Sequence, residues 1–551
     1  MVRNDSLTSE RTLGPRESSR HQRAEAPAAL PRQKTREVSR PTPSPPAPAP
    51  RGGWALPLAV VVVGMFMSVL DTSIVNVAIP TMQKQFGVSA DDIEWVSTAY
   101  TLCLGVVVPT SAWLGERIGL RRLYVVSLLG FAGFSALCGT ATSLNLMIFY
   151  RILQAVPAGV IPVTCLTILY RTVPRESLGA AMGLYGFGIV VAPGVGPTLG
   201  GYLVEYIDWR LIFYINVPIG IIGAVAAVAV LPRFAGSAGR SFDLPGFSAI
   251  AGGLFAGLLA VSEGQRWGWT SYPILILLAA SINMFALFVI IERQVAQPLL
   301  DIRVFANWPF VNSLILITIN TIGMFSVLYY VPQFLQTGQN LTPMNTGLVV
   351  LPQAAVMAMI MPMAGRIYDR IGARWLSVIG LTVCASGSLL MAGITLDTPK
   401  TDIVIWTMIR AGGVALSMMP IMTAGLSALP PAVSNFGSAW NTLFQRVSSA
   451  LGVSVLTALS TSQQAQQMAN RSSLLQSSGA NMDPRIYAMS QEGPSGLIPV
   501  WQQLEADVLA HAYSDVFLVI TVLTVLGIPL AMLLKSGRPS RGGDAEPVEV
   551  G

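Results

Sequence analysis

The sequence predicts an all-α integral membrane protein built from two six-helix bundles plus two inserted helices. Hydrophobic residues make up 52% of the 551 residues, charged residues only 11%, and the mean hydropathy is +0.58. Soluble globular domains carry roughly 25% charged residues, so a water-soluble fold could not bury this much apolar surface. The lipid bilayer must therefore act as the solvent for most of the chain.

Apolar runs of about 20 residues recur along the chain, and a helix of that length crosses a hydrocarbon core of about 30 Å. Fourteen predicted spans follow from these runs. They cover residues 54–80, 95–114, 123–142, 147–169, 179–203, 211–231, 244–262, 273–291, 309–333, 346–365, 375–395, 403–426, 435–460 and 515–534. An even number of spans places both termini on the same side of the membrane.

A six-residue tag occurs twice and relates the two halves of the chain. It reads ERIGLR at 116–121 and DRIGAR at 369–374, with the two glycines 253 residues apart. The first copy lies between spans two and three and the second between spans ten and eleven, so equivalent spans are eight apart. Related halves of membrane helices are typical of transporters.

The repeat divides the chain into regions. These are a disordered cytoplasmic tail (1–52), an N-terminal six-helix bundle (53–231), two extra transmembrane helices (232–300), a C-terminal six-helix bundle (301–535) with an outer loop (461–514), and a second cytoplasmic tail (536–551). The first tail is rich in arginine and proline and lacks the apolar core of a signal peptide.

Lys and Arg are concentrated in alternate loops, including both tags and both tails. Positive residues are retained on the cytoplasmic side, so the tags and both termini are predicted to be cytoplasmic in a protein of the plasma membrane. The net charge of +6 thus reflects topology, and no nucleic-acid partner is predicted.

The chemistry available inside the spans is limited. All four cysteines lie in apolar runs without metal-ligand spacing, and the two histidines, His21 and His511, lie outside the spans. Neither a phosphate-binding Gly-x-x-x-x-Gly-Lys-Ser/Thr motif nor a His-Glu-x-x-His zinc motif is present. The sequence therefore predicts no enzyme, no metal and no cofactor, and any proton chemistry at membrane depth must use carboxylates.

Asp71 is the one acidic residue well inside a predicted span, where a carboxylate is costly unless it is protonated, paired or hydrated. At 1.5 Å per residue from Ala55 it lies roughly 24 Å along the helix, and Arg151 in span four lies at a similar depth. Proximity to Arg151 could switch Asp71 between holding and releasing a proton, and Gln154 lies on the same face of span four. Two alternatives are a permanent structural ion pair and an Asp that caps a helix break before Thr72.

Several motifs together resemble the major facilitator superfamily, and within it the fourteen-span drug:proton antiporters of the multidrug efflux type. They are SVLDTSIVNVAIPTMQ in span one, EWVSTAYTL, WLGERIGLRR, YRILQAVPAG, GPTLGG, DWRLIFYINVPIG and, in the second half, GLVVLPQAAVMAMIMPMAGRIYDRIG. The resemblance extends over nearly the whole chain after the first tail. It implies that the acidic residue in span one and the arginine in span four take part in proton coupling.

The resemblance also implies that the tags act as conformational latches. The corresponding residues are Gly115, Glu116, Arg117, Gly119 and Arg121 in the first half, and Asp369, Arg370, Gly372 and Arg374 in the second. The first copy departs from the family pattern at Ala112, Glu116 and Leu120. A tight turn whose arginines only obey the positive-inside rule is the alternative.

Two further groups follow from the resemblance. Gly196, Pro197, Gly200 and Gly201 in span five match the family's antiporter motif, although ordinary close helix packing predicts the same residues. Asn441, Gln445 and Arg446 in span thirteen are candidates for lining a substrate cavity, or for a purely structural cluster.

The function that these features predict is proton-coupled export of drugs or other amphipathic, often cationic, small molecules. The expected partners are a small-molecule substrate, protons and membrane lipid. An antiporter dedicated to one lipid precursor, siderophore or self-made metabolite is an alternative, and a non-transporting membrane receptor on the same fold is another.

Overall fold

The computed structural model describes residues 53–234, 236, 241–295, 297–430, 433–475 and 498–534. These residues form seventeen α-helices and no β-strand. The helices are α1 (Ala55–Phe86), α2 (Ala90–Ile93), α3 (Trp95–Val107), α4 (Thr110–Ile118), α5 (Leu120–Gly139), α6 (Leu144–Thr172), α7 (Leu178–Tyr206), α8 (Leu211–Tyr214), α9 (Asn216–Val230), α10 (Leu244–Trp267), α11 (Tyr272–Gln294), α12 (Trp308–Gln333), α13 (Pro343–Ile371), α14 (Ala373–Met391), α15 (Lys400–Ser427), α16 (Ser434–Leu475) and α17 (Ile498–Met532).

Thirteen helical segments in this described part of the chain are long and apolar enough to cross a membrane. A fourteenth is the broken segment in which α3 and α4 meet at an angle of 58°. Pro109 lies at that break and removes a backbone donor, which explains the bend. The prediction of an all-α membrane protein is confirmed, and each predicted span corresponds to one of these fourteen segments.

The predicted outer loop 461–514, in which the sequence favours a short surface helix near Ile498–Tyr513, is helical at both ends. α16 continues to Leu475 and α17 begins at Ile498, so the described parts of this region are helical. The chain after span thirteen is polar, but it is rich in Gln and Ala and has no proline in this stretch. Because these residues have high helix propensity, α16 continues beyond the apolar span. Residues 476–497 and the two predicted tails, 1–52 and 536–551, lie outside the described residues.

The first half comprises α1–α9 and the second α12–α17, and they meet mainly at two helix crossings. α7 packs against α13, and α16 packs against α3, α4 and α6. At the first crossing Gly179 and Gly365 face each other, and a Cβ atom on either would overlap the other's carbonyl oxygen. Small residues allow this approach of two backbones.

The inserted helices α10 and α11 pack against each other, and α10 also contacts α3 of the first half and α16 of the second. Ser281 on α11 donates a hydrogen bond to the carbonyl oxygen of Gly253 on α10 (2.8 Å). The outward face of α11 is apolar, with Tyr272 and Ile282 strongly exposed, as expected for a surface in contact with lipid. The inserted pair therefore covers the second crossing from the lipid side.

Candidate functional site

A fully buried ion pair lies inside the first half, between α1 and α6. The Arg151 Nη1 atom is 2.7 Å from Asp71 Oδ2, and neither side chain is more than 1% exposed. Asp71 Oδ1 accepts two more hydrogen bonds, from Gln154 Nε2 (3.0 Å) and from Asn216 Nδ2 at the start of α9 (3.0 Å). The structure thus brings together all three predicted residues Asp71, Arg151 and Gln154, and adds Asn216.

Arg151 is held from several directions besides its carboxylate partner. Its Nη1 donates to Gln154 Oε1 (2.8 Å), and its Nε donates to the carbonyl oxygen of Val96 on α3 (3.4 Å). The guanidinium carbon lies 3.7 Å from the centroid of the Tyr100 ring, a cation–π contact. Tyr100 also comes from α3, so the ion pair joins α1, α6, α9 and α3.

Sequence reasoning missed Asn216, Ser135 and Tyr100 as site residues. Asn216 Nδ2 also contacts Ser135 Oγ (3.1 Å), which in turn donates to the carbonyl oxygen of Phe213. An asparagine within the apolar run of span six was the available signal, because an amide in hydrocarbon needs partners. Nothing in the order of the spans indicated that it would face Asp71.

The arrangement can exchange a proton with water only after local movement. As it stands, the carboxylate is neutralised by one guanidinium and two amide donors and is shielded from solvent. Withdrawal of Arg151 would leave an uncompensated negative charge buried in the bundle, which is costly. The ion pair therefore ties the charge of Asp71 to the relative position of α1 and α6.

The glycines of the predicted antiporter motif pack onto α1 next to Asp71. A Cβ atom on Gly196 would overlap the Ser73 hydroxyl, and one on Gly200 would lie 2.8 Å from Ile74 Cγ1. Ser73 Oγ donates to the carbonyl oxygen of Ala192 on α7 (3.4 Å). Gly201 faces open space, and Pro197 lies within α7. The position of α1 at Asp71 is therefore fixed by α7, the helix that also crosses into the second half.

The two tags lie at one end of the bundle, here called the tag side, and the acid of each contacts the opposite half. Asp369 accepts hydrogen bonds from the backbone N–H groups of Gly179 (2.9 Å) and Ala180 (3.1 Å), at the start of α7. In the first copy, Asn435 at the start of α16 donates to Glu116 Oε1 (3.4 Å). Since α7 and α16 are spans five and thirteen, the two contacts are related by the eight-span repeat.

The last arginine of each tag binds within its own half. Arg121 donates to the carbonyl oxygen of Leu231 (3.4 Å) and Arg374 to that of Leu534 (2.9 Å), each just past the last helix of its half. Cations are favoured at helix C-termini, where carbonyl groups lack partners.

The remaining tag residues shape the turns. Gly119 and Gly372 have φ values of +85° and +81°. Gly115 packs against Leu120, Arg117 stacks on Trp113, and Arg370 is exposed.

The Asp369 contact gives a first prediction. Asp369→Ala removes the acceptor for two backbone donors at the start of α7, so the free energy of unfolding should fall by about 0.5–2 kcal/mol. Asp397→Ala, which changes an exposed acid in a loop, is the matched control and should stay within about 0.5 kcal/mol of wild type. Unfolding in detergent by heat or denaturant measures both. Equal effects of the two substitutions would contradict a bridging role for Asp369.

Of the predicted cavity residues on α16, Arg446 lies near the first half, whereas Asn441 and Gln445 contact each other and the second half. Gln445 Nε2 donates to Asn441 Oδ1 (2.6 Å) and approaches Met422 Sδ (3.6 Å). Arg446 is partly exposed and lies within electrostatic reach of Tyr100 on α3 and Tyr185 on α7. Arg151 of the first half and Arg446 of the second thus both lie near Tyr100.

A bundle of membrane-spanning helices in two related halves, with a buried charge network beside their interface, defines a membrane transport protein. Residues 61–242 and 245–453 match the sequence model of the Major Facilitator Superfamily, and the chain belongs to that family.

Relatives and solved structures agree with this family. The chain is 31% identical to the uncharacterized MFS-type transporter YhcA of Bacillus subtilis, over 88% of this chain and 93% of the relative. It is 30% identical to the multidrug resistance protein B homolog of Mycobacterium tuberculosis, over 86% and 89%. The proton:xylose symporter XylE has the same fold, with a TM-score of 0.55, 13% identity and coverage of 86% and 96%. The chain is therefore a multi-pass membrane transporter, not an enzyme.

Proposed function

We propose that the protein is a proton-coupled antiporter that exports drugs or other amphipathic small molecules across the cell membrane. The observation that carries the proposal is the buried pair of Asp71 and Arg151, with a 2.7 Å contact inside a membrane-spanning bundle. Buried charges of this kind are costly and are found mainly where ions or protons move. The name of the Mycobacterium tuberculosis relative supports drugs as substrates.

The proposed cycle starts from the geometry in the structure, in which the tag side is closed. Besides the tag contacts, Tyr170 at the end of α6 donates a hydrogen bond to the carbonyl oxygen of Thr423 on α15 (3.2 Å). Because Lys and Arg are concentrated on the tag side, we propose that this side faces the cytoplasm. A cytoplasm-closed state is the one in which the substrate leaves and a proton enters from outside.

Tyr100 provides a route for coupling the proton to the substrate. Its ring stacks on Arg151 of the first half, and its hydroxyl lies within electrostatic reach of Arg446 of the second. Movement of the second half, or substrate bound between the halves, changes the surroundings of Tyr100 and so the position of Arg151. Release of Arg151 lets Asp71 take a proton, which is delivered to the cytoplasm when the tag side opens.

The test is Asp71→Asn, which keeps the shape of the side chain but replaces one acceptor oxygen with an NH2 donor and cannot carry a proton. We expect substrate flux driven by an imposed pH gradient in proteoliposomes to fall to the level measured with an uncoupler. Asp208→Asn removes an exposed acid of the same half, 49% exposed in its side chain, and should keep wild-type flux. Full pH-driven flux in Asp71→Asn would refute proton coupling through this residue.

A further inference from the structure

Arg446 is a cation in the middle of the bundle. It lies twelve residues after Ser434, the start of α16, hence roughly 18 Å along the helix at 1.5 Å per residue. That depth is close to the centre of a hydrocarbon core of about 30 Å. Both aromatic hydroxyls within its electrostatic reach, those of Tyr100 and Tyr185, belong to the other half. Arg446 therefore lies near the first half, on a helix that packs against α3 and α6 of that half.

No carboxylate pairs with Arg446 among the described residues. The ion pairs recorded there use Arg151, Arg210 and Arg266 as their cations. The nearest buried acid in the first half, Asp71, is already neutralised by Arg151 and two amide donors. The interface at this depth thus has an uncompensated positive charge, which is costly at the centre of a membrane unless water or an anion meets it.

Four buried methionines, Met65, Met361, Met419 and Met422, lie beside Tyr185, Gly186 and Gln445. Tyr185 Oη contacts Met65 Sδ (3.6 Å), and Gln445 Nε2 contacts Met422 Sδ (3.6 Å). The space beside Gly186 is closed by the sulfur atoms of Met361 and Met419. Methionine side chains are flexible and polarisable and can adapt to ligands of different shape. A further donor, Asn441 Nδ2, is buried without an acceptor in this part of the chain.

We propose that the transported molecules are amphipathic anions, with a carboxylate or sulfonate bound by Arg446 and an apolar part bound by the methionines once separation of the halves uncovers them. This inference rests on the proposed export function and names its substrate class. It differs from the cationic substrates favoured by the sequence alone. A cation would lie beside Arg446 with no unpaired carboxylate among the described residues to bind it, whereas an anion supplies the charge that is missing.

The test is equilibrium binding of matched probes to the purified full-length protein in lipid nanodiscs, with empty nanodiscs as the blank. 8-Anilinonaphthalene-1-sulfonate and N-phenyl-1-naphthylamine differ only by the sulfonate group, and ethidium is the cationic probe. The wild type should bind the sulfonate at least about tenfold more tightly than Arg446→Gln does, since one charge-assisted hydrogen-bonded contact is lost. The neutral probe should bind both proteins alike, and Arg446→Lys should keep part of the preference.

Lys84→Gln is the control for loss of a positive charge, because Lys84 is exposed at the far end of α1. It should leave binding of all three probes unchanged. The inference would be overturned if the wild type bound all three probes with equal affinity or bound none of them. It would also be overturned if Arg446→Gln left binding of the sulfonate unchanged. If either result occurred while pH-driven flux still depended on Asp71, the inferred substrate class would be wrong and the proposed proton-coupled export would stand. If the protein preferred anions but showed no pH-driven flux, proton-coupled export would be wrong and the anion preference would stand.

Discussion

Replacing Arg151 with methionine is expected to lower the free energy of unfolding by about 3–5 kcal/mol, because it leaves the Asp71 carboxylate buried without its cation. Methionine fills much of the space of the arginine stem but cannot replace the contacts with Asp71, Gln154 and the Val96 carbonyl. The stack on Tyr100 is lost as well. Thermal and denaturant unfolding in detergent would measure the change.

The second half supplies a matched control in Arg410, the buried arginine of α15, which is the span that the repeat relates to α6. Arg410 is also buried, and its Nε donates to Ser388 Oγ (3.0 Å), but its Nη2 has no hydrogen-bond partner in the described chain. Arg410→Met leaves no acid unpaired, so it should cost far less than Arg151→Met. Similar costs would show that loss of arginine packing, rather than an uncompensated carboxylate, causes the destabilisation.

A double substitution separates stability from function at the same site. Asp71→Asn combined with Arg151→Met removes both charges, and the unfolding free energy should return most of the way to that of wild type. Transport driven by a pH gradient should remain absent in the double variant. If stability recovers and transport does not, the Asp71–Arg151 pair is needed for transport and not for folding.

A carboxylate pairs with the buried arginine only in the first half, in the part of the chain that the structure describes. Asp71 precedes Gly119 of the first tag by 48 residues, and Met324 precedes Gly372 of the second tag by the same 48. The neighbouring Gly323 faces Arg410, since a Cβ atom there would lie 2.9 Å from Arg410 Nη2. The second half therefore has the cation but not the acid, and we expect one titratable carrier per chain.

The sequence was sufficient to predict depth but not rotation about the helix axis. A rise of 1.5 Å per residue placed Asp71 and Arg151 at one level, and the structure has them in contact. Spacing along a span that is apolar on every side does not say which neighbour a polar residue faces. Asn216 and Tyr100 were missed for this reason, and the contact of Asp369 with Gly179 depends on the packing of distant spans. The polar extension of α16 was missed because hydropathy marks where lipid ends, not where a helix ends.

Gly365→Ala is expected to prevent closure of the tag side. The added Cβ atom would overlap the carbonyl oxygen of Gly179, a backbone atom that cannot turn away. Gly183, one turn along α7, is as tightly placed, with Met361 O 2.5 Å from the position of a Cβ. Overpacking of this kind costs about 1–3 kcal/mol. Because α7 and α13 belong to opposite halves, only the closed state bears this cost, and the ratio of closed to open protein should fall by roughly 5- to 150-fold.

Gly347→Ala is the matched control, because Gly347 lies on the same helix α13 with open space where a Cβ atom would be. Spin labels at the tag-side ends of α6 and α15, near the contact of Tyr170 with Thr423, report closure as a distance distribution. Gly365→Ala should shift this distribution to longer distances and reduce transport, while Gly347→Ala should leave both unchanged. A short distance retained in Gly365→Ala would mean that the α7–α13 crossing adapts without opening. The close approach of Gly179 and Gly365 would then be a packing feature and not the closed gate of the transport cycle.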